Sequence, residues 1–268
     1  SVNQQTSDSA PTATALVTGV KTRGGSLAVD ETIGEGVKDA AVTAQHALTT
    51  ILELAEARGL ATGIVTTTRI THATPAANYA HTGNRDWESD ASLPDDATVP
   101  DIAAQLVAAQ EQYGIEVVLG GGRKQFTPRT VADPEYPAQN GGRKDGRALV
   151  DEWLAARPGS RYVWNYEQFV AIDPQNTQHL LGLFEPSHMQ YEADRRPTDG
   201  TAGRDGAGEP SLAEMTAKAI GILRNNGQGY YLMVEGGRID HAHHAGNAYR
   251  ALADTIALSD AVRTALAL

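Results

Sequence analysis

The chain has 268 residues, with 33 Asp plus Glu against 22 Lys plus Arg and a formal net charge of -11 at pH 7. That length admits a sizeable α/β core, while the surplus of negative charge repels nucleic acid and anionic membrane, so neither is an expected partner. Cysteine is absent, which excludes disulfides, thiolate metal sites and a cysteine nucleophile. No apolar run reaches the roughly 18 residues of a membrane span, and the opening SVNQQTSDSA shows neither the charged segment nor the apolar core of a signal peptide.

In chain order, SDSAPTATALVTG at residues 7–19 sets Ser9 behind an aspartate and ahead of small residues and threonines that can start a helix. A serine there meets a positive dipole and free N–H groups, which welcome phosphate. Asp-Ser is equally a common N-cap pair, so the stretch alone decides nothing. Residues 37–58 repeat apolar side chains at helical spacing and predict a helix ending at Gly59. LATGIVTTT, residues 60–68, then reads as a buried strand rich in β-branched residues. The stretch TTTRITHATPAANYAHTGNRDW, residues 66–87, follows and offers His72, Thr74, His81 and Arg85. An arginine close to a serine nucleophile would clamp a phosphoryl group with parallel hydrogen bonds; a solvated loop arginine is the plainer alternative.

Another helix-then-strand unit runs from about residue 100 into GIEVVLGGG, residues 114–122. A further unit opens on the capping box Ser211 and Glu214, continues as the helix AEMTAKAIGILRNN and enters the strand YYLMVEGG. Residues 244–268 read as one long amphipathic helix. This alternation with continuous apolar strands predicts an α/β fold: a parallel-rich central sheet with helices on both faces and long surface loops. Residues 127–208 interrupt the pattern with glycine, proline and charge, in PRTVADPEYPAQNGGRKDG and EADRRPTDGTAGRDGAGEP. They are expected to form a loop-rich insertion, the glycine-rich tract 200–208 being a flexible loop.

The densest chemistry lies in VEGGRIDHAHH, residues 234–244. Glu235 falls at the carboxyl end of a predicted strand, where open α/β sheets place ligands. Gly236 and Gly237 permit a sharp turn after it. Asp240 and His244, four apart, share one face of a helical turn. A carboxylate and an imidazole so spaced suit zinc, while the hard oxygen of Glu235 suits magnesium.

Taken together and in this order, these stretches resemble the alkaline phosphatase family. DSA followed by TATA, TTTR-x-x-HATP with NRDW, GGGRK at residues 120–124, LGLFEP at residues 181–186 and VEGGRIDHAHH all agree. His72 and His241 stand where the animal and related bacterial branch carries histidines. The resemblance covers essentially the whole chain, so residues 1–268 are read as a single, incomplete α/β domain. It implies hydrolysis of phosphate monoesters, with Ser9 as the nucleophile that becomes phosphoserine. Arg85 would hold the phosphate oxygens and Asp8 would orient Arg85. Asp240 and His244 would bind one zinc, Ser9 would meet a second, and Glu235 and Thr74 would bind magnesium with His72 and His241 in support. The resemblance further implies a calcium site at Glu135, the Phe184 carbonyl, Glu185 and Glu209, and an exported homodimer, periplasmic or at the cell surface.

The family pattern also has an earlier strand ending in a DGMG-like turn and a later one bearing an ADH-type pair with a further histidine. Neither occurs within these residues, so the chain is expected to be an internal portion of a longer enzyme, with apolar sheet surface uncovered. A sulfatase or phosphodiesterase, and a non-catalytic fragment that binds metal or phosphate, are the competing readings. The arginine of GNRDW after HATP favours the phosphate monoester, and the intact serine and arginine favour an enzyme.

Overall fold

The computed structural model describes residues 1–195 and 208–268. Most of the tract 200–208, expected as a flexible loop, and the middle of EADRRPTDGTAGRDGAGEP lie outside the described residues. Strands β1 (Ala61–Arg69), β2 (Val117–Gly121), β3 (Ser160–Val163), β4 (His179–Leu183) and β5 (Tyr230–Glu235) form one sheet in the order β3-β4-β2-β1-β5. Every pairing is parallel. Val65 of β1 stands in register with Leu119 of β2 and Val234 of β5.

Neighbouring strand residues point to opposite faces, and the two faces bury separate cores. Ile64, Val118 and Leu181 pack with Leu106 and Trp153 on one side. Val65, Leu119 and Leu180 pack with Met215, Ile222 and Phe169 on the other. The helices Ile102–Gln112 and Leu149–Ala156 supply the first face, and the helix Leu212–Leu223 the second. The sheet thus carries helices on both faces, as its continuous apolar strands require. Each buried leucine or isoleucine contributes about 1.5–3 kcal/mol. The outermost β5 is half-exposed along most of its length, and the final helix, Ala248–Ala267, exposes Tyr249, Leu252 and Ile256.

Local structure departs from the expected elements in three places. The predicted helix over residues 37–58 is two short ones, Ala40–Gln45 and Ile51–Glu56. Between them the backbone turns to the segment around Val29: Leu48 N–H donates to the Ala28 carbonyl at 2.8 Å and Asp30 N–H to the His46 carbonyl at 2.9 Å. Thr50 then restarts the helix through a capping box with Glu53. The expected helix over residues 244–268 begins only at Ala248, capped by Asn247. Gly246, at φ +63°, separates it from a distinct helix, Arg238–His244.

Finally, residues 127–208 contain more than loops. β3 and β4 both lie there and extend the central sheet, joined by the helix Tyr166–Ala171. Their shortness, four and five residues, leaves too little periodicity to stand out among flanking glycines and prolines.

Candidate active site

The carboxyl ends of β1 and β5 lie side by side, Thr66 pairing with Glu235. This edge is where a parallel sheet presents its ligands. Glu235 is half-buried and accepts hydrogen bonds from the hydroxyls of Thr66 at 2.6 Å and Thr68 at 3.4 Å, with Thr74 a further donor. Burial pushes its carboxyl up from the usual range, against those three hydroxyls. Gly237 is needed two residues after it. A Cβ there would lie 2.2 Å from Thr68 Cγ2 and 2.9 Å from Glu235 Oε2.

One turn further on, Asp240 and His244 share the exposed face of the helix Arg238–His244. Their side chains lie 3.5 Å apart and point to solvent. Their i,i+4 spacing suffices for that placement.

Ser9 is the first residue of the helix Ser9–Thr18, and Asp8 is its N-cap. One Asp8 oxygen accepts from Ala10 N–H at 2.7 Å, and the other from Gly25 N–H at 2.8 Å. The same carboxylate receives Arg85 Nη1 at 3.2 Å. Arg85 also donates from Nη2 to His72 Nε2 at 3.1 Å. Asp8, Ser9, His72, Arg85, Asp240 and His244 line a single cavity of about 560 Å³. It combines a hydroxyl at a helix N-terminus, an oriented guanidinium and a carboxylate–imidazole pair, groups whose chemistry suits a phosphoryl group.

Sequence reading missed His188, which comes from the loop after β4. Among the described residues, His72, His188 and His241 are the group of three whose potential ligand atoms all lie within 4.8 Å of one another. Burial is the main cause holding their imidazoles down, to about 3 for His72, about 2 for His188 and about 4 for His241, and nearby arginines add to it. All are therefore neutral near pH 7. Arg69, also missed, is gripped by both oxygens of Glu88 at 2.6 and 2.8 Å and donates to His188 Nε2 at 2.6 Å. No spacing signal could have found this cluster, because Arg69 and His188 are 119 residues apart.

His81 lies elsewhere. Its ring spans the Ala28 carbonyl and Glu53 in a buried network. The residues implied for calcium form a separate region. Gln190 bridges Glu185 and Glu209 with hydrogen bonds of 2.8 and 2.9 Å. Tyr136 reaches Glu185 at 3.3 Å, the neighbouring Glu135 meets Arg123 at 3.1 Å, and Phe184 is buried in the core.

A parallel sheet covered on both faces, with Ser9, Arg85, Asp240 and His244 gathered around one cavity, defines an α/β protein with a candidate site beside its sheet. The alkaline phosphatase family pattern matches residues 1–268, and the chain belongs to that family. It is 44% identical over 270 residues to the tissue-nonspecific alkaline phosphatase of Gallus gallus, covering 97% of this chain and 49% of the relative. To the alkaline phosphatase of Gadus morhua it is 43% identical, covering 97% of this chain and 54% of the relative. The crystal structure of Thermus thermophilus alkaline phosphatase superposes with a TM-score of 0.71 at 31% identity, covering 96% of this chain and 44% of that one. The chain thus spans about half the length of the curated relatives it matches.

Proposed function

We propose that this chain carries the phosphoryl-transfer centre of a metal-dependent phosphate monoester hydrolase acting through a phosphoserine at Ser9. The observation that carries the reading is the Asp8–Arg85 ion pair beside Ser9 in one cavity. Ser9 Oγ gives up its proton to solvent and attacks phosphorus as the ester P–O bond breaks, and the leaving oxygen takes a proton from solvent to depart as the alcohol. Water then attacks the phosphoserine, one of its protons passing by way of solvent to Ser9 Oγ as the Oγ–P bond breaks, and inorganic phosphate departs with the Ser9 hydroxyl restored. Arg85 holds the phosphate oxygens through both steps, and Asp8 keeps the guanidinium aimed.

The donors present fit the implied metals. Asp240 and His244 form a carboxylate–imidazole pair for zinc, with Ser9 facing the same cavity as a ligand to a second zinc. Glu235 and Thr74 offer hard oxygens for magnesium, and the tendency of Glu235 to hold its proton would yield to a cation. Bound divalent ions supply charge that lowers hydroxyl pKa values and neutralises phosphate oxygens. His72 and His241 line the same cavity and support the magnesium position through neutral rings. Family resemblance extends the proposal to calcium at Glu135, Phe184, Glu185 and Glu209, to a homodimer, and to a periplasmic or cell-surface location.

The test is hydrolysis of para-nitrophenyl phosphate at alkaline pH with zinc and magnesium, beside a chelated sample and Ser9→Ala. Trapping labelled phosphate on the protein and mapping it to Ser9 would establish the intermediate. Turnover that survives Ser9→Ala would overturn the reading.

A further inference from the structure

His188 has no part in the chemistry above, and His72 and His241 enter it only as supports beside the magnesium position. We propose that His72, His188 and His241 form a binding site for a divalent first-row transition ion of the zinc class, distinct from both the Asp240–His244 pair and the oxygen site at Glu235. The three rings arrive from three segments: the turn after β1, the loop after β4 and the helix after β5. Their centroids are 5.1, 5.4 and 4.3 Å apart, and every pair meets edge-on. Edge-on rings bring nitrogens together without stacking faces.

A tetrahedral zinc with bonds of about 2.1 Å needs its nitrogens roughly 3.4 Å apart. The potential ligand atoms here lie within 4.8 Å of one another, so small side-chain rotations close the site. A set made only of imidazole nitrogen favours zinc, cobalt, nickel or copper, whereas magnesium demands oxygen.

Charge does not forbid a cation. Arg69, Arg85 and Arg238 each donate to one of these rings, at 2.6, 3.1 and 2.9 Å. Arg69 is answered by Glu88 and Arg85 by Asp8, while Asp240 adds negative charge beside His241. An entering ion displaces guanidinium hydrogen bonds and gains coordinate bonds that are far stronger. The cavity that includes His72 and His241 in its wall gives it a route in.

Metal content reads this site directly, without turnover. Chelator-stripped protein would be dialysed against zinc, and separately titrated with cobalt as a spectroscopic probe. The double substitution Asp240→Ala and His244→Ala removes the other zinc pair. The expected result is that this variant still retains one zinc and gives a cobalt ligand-field spectrum, both resistant to excess magnesium. Adding His188→Ala, or the more conservative His188→Asn, abolishes both, whereas adding Glu235→Gln leaves both in place. A double variant with unchanged circular dichroism that holds no zinc overturns the proposal. So does a zinc content that is indifferent to both His188 substitutions.

Discussion

Asp8 and Arg85 are 77 residues apart in sequence and 3.2 Å apart in space. The Asp8 carboxylate also caps the helix that begins at Ser9 and accepts the Gly25 N–H. One side chain therefore sets the serine, the helix terminus and the guanidinium relative to one another. Arg85→Ala is expected to lower kcat/KM for a phosphate monoester by about 10²-fold, the scale of losing one preorganised charge-stabilising donor. Arg85→Lys should recover little, because a point charge cannot reproduce the two-pronged contact. Asp8→Ala should raise KM and also cost about 0.5–2 kcal/mol through the lost cap. Steady-state kinetics and thermal melts separate the two effects, and an Asp8→Ala protein with unaltered stability would contradict the capping role.

Gly237 guards the position of Glu235. Its replacement by alanine would drive a methyl group into Thr68 Cγ2 and the Glu235 carboxylate. Gly237→Ala is expected to cost about 1–3 kcal/mol by overpacking and to weaken magnesium binding by displacing the Glu235 oxygens. Calorimetric titration of magnesium into the variant checks this, and undiminished affinity would refute it.

Asp254 is buried, with the Glu192 N–H donating to its carboxylate at 3.2 Å, and desolvation pushes the carboxyl up to about 6. The folded protein therefore holds this proton more tightly than the unfolded chain, whose value is about 4. The stabilisation is complete below about pH 4 and is lost as pH rises through about 6. Asp254→Asn removes the titration. Relative to wild type, the variant should gain up to about 3 kcal/mol across that window, read from urea unfolding at a series of pH values. A stability difference independent of pH would exclude the mechanism.

Arg143 is fully buried and meets both oxygens of Asp101 at 3.0 Å, with Asp145 on its other side. Asp101 in turn caps the helix Ile102–Gln112. Arg143→Met would leave the Asp101 charge buried without its partner, at an expected cost of about 3–5 kcal/mol. Replacing Asp101 by Asn in the same protein should recover part of that loss, which a double-mutant cycle measures.

Much of the site was legible because its signals are local. Ser9 behind Asp8, Glu235 at the end of an apolar run and the four-residue spacing from Asp240 to His244 each follow from helix or strand geometry over a few residues. The capping box at Ser211 and Glu214 and the run of β-branched residues in β1 were readable for the same reason. Family resemblance assigned roles that spacing alone left open, those of Arg85 and Thr74 among them.

Tertiary structure decided what local rules leave free. The break at residues 46–50 arises because backbone groups there bond the segment around Val29, an interaction invisible to helical periodicity. β3 and β4 join the sheet by pairing with each other and with β2, although their own patterns are too short to declare it. The meeting of His188 with His72 and His241, and the grip of Glu88 on Arg69, depend on loops carried to one sheet edge by strands distant in sequence. Sequence by itself determined the capped helices, the apolar strands and the turn that sets Asp240 beside His244, since those energies act between near neighbours. The histidine cluster came only from the sheet order, because contacts over a hundred residues apart are set by how the strands pack.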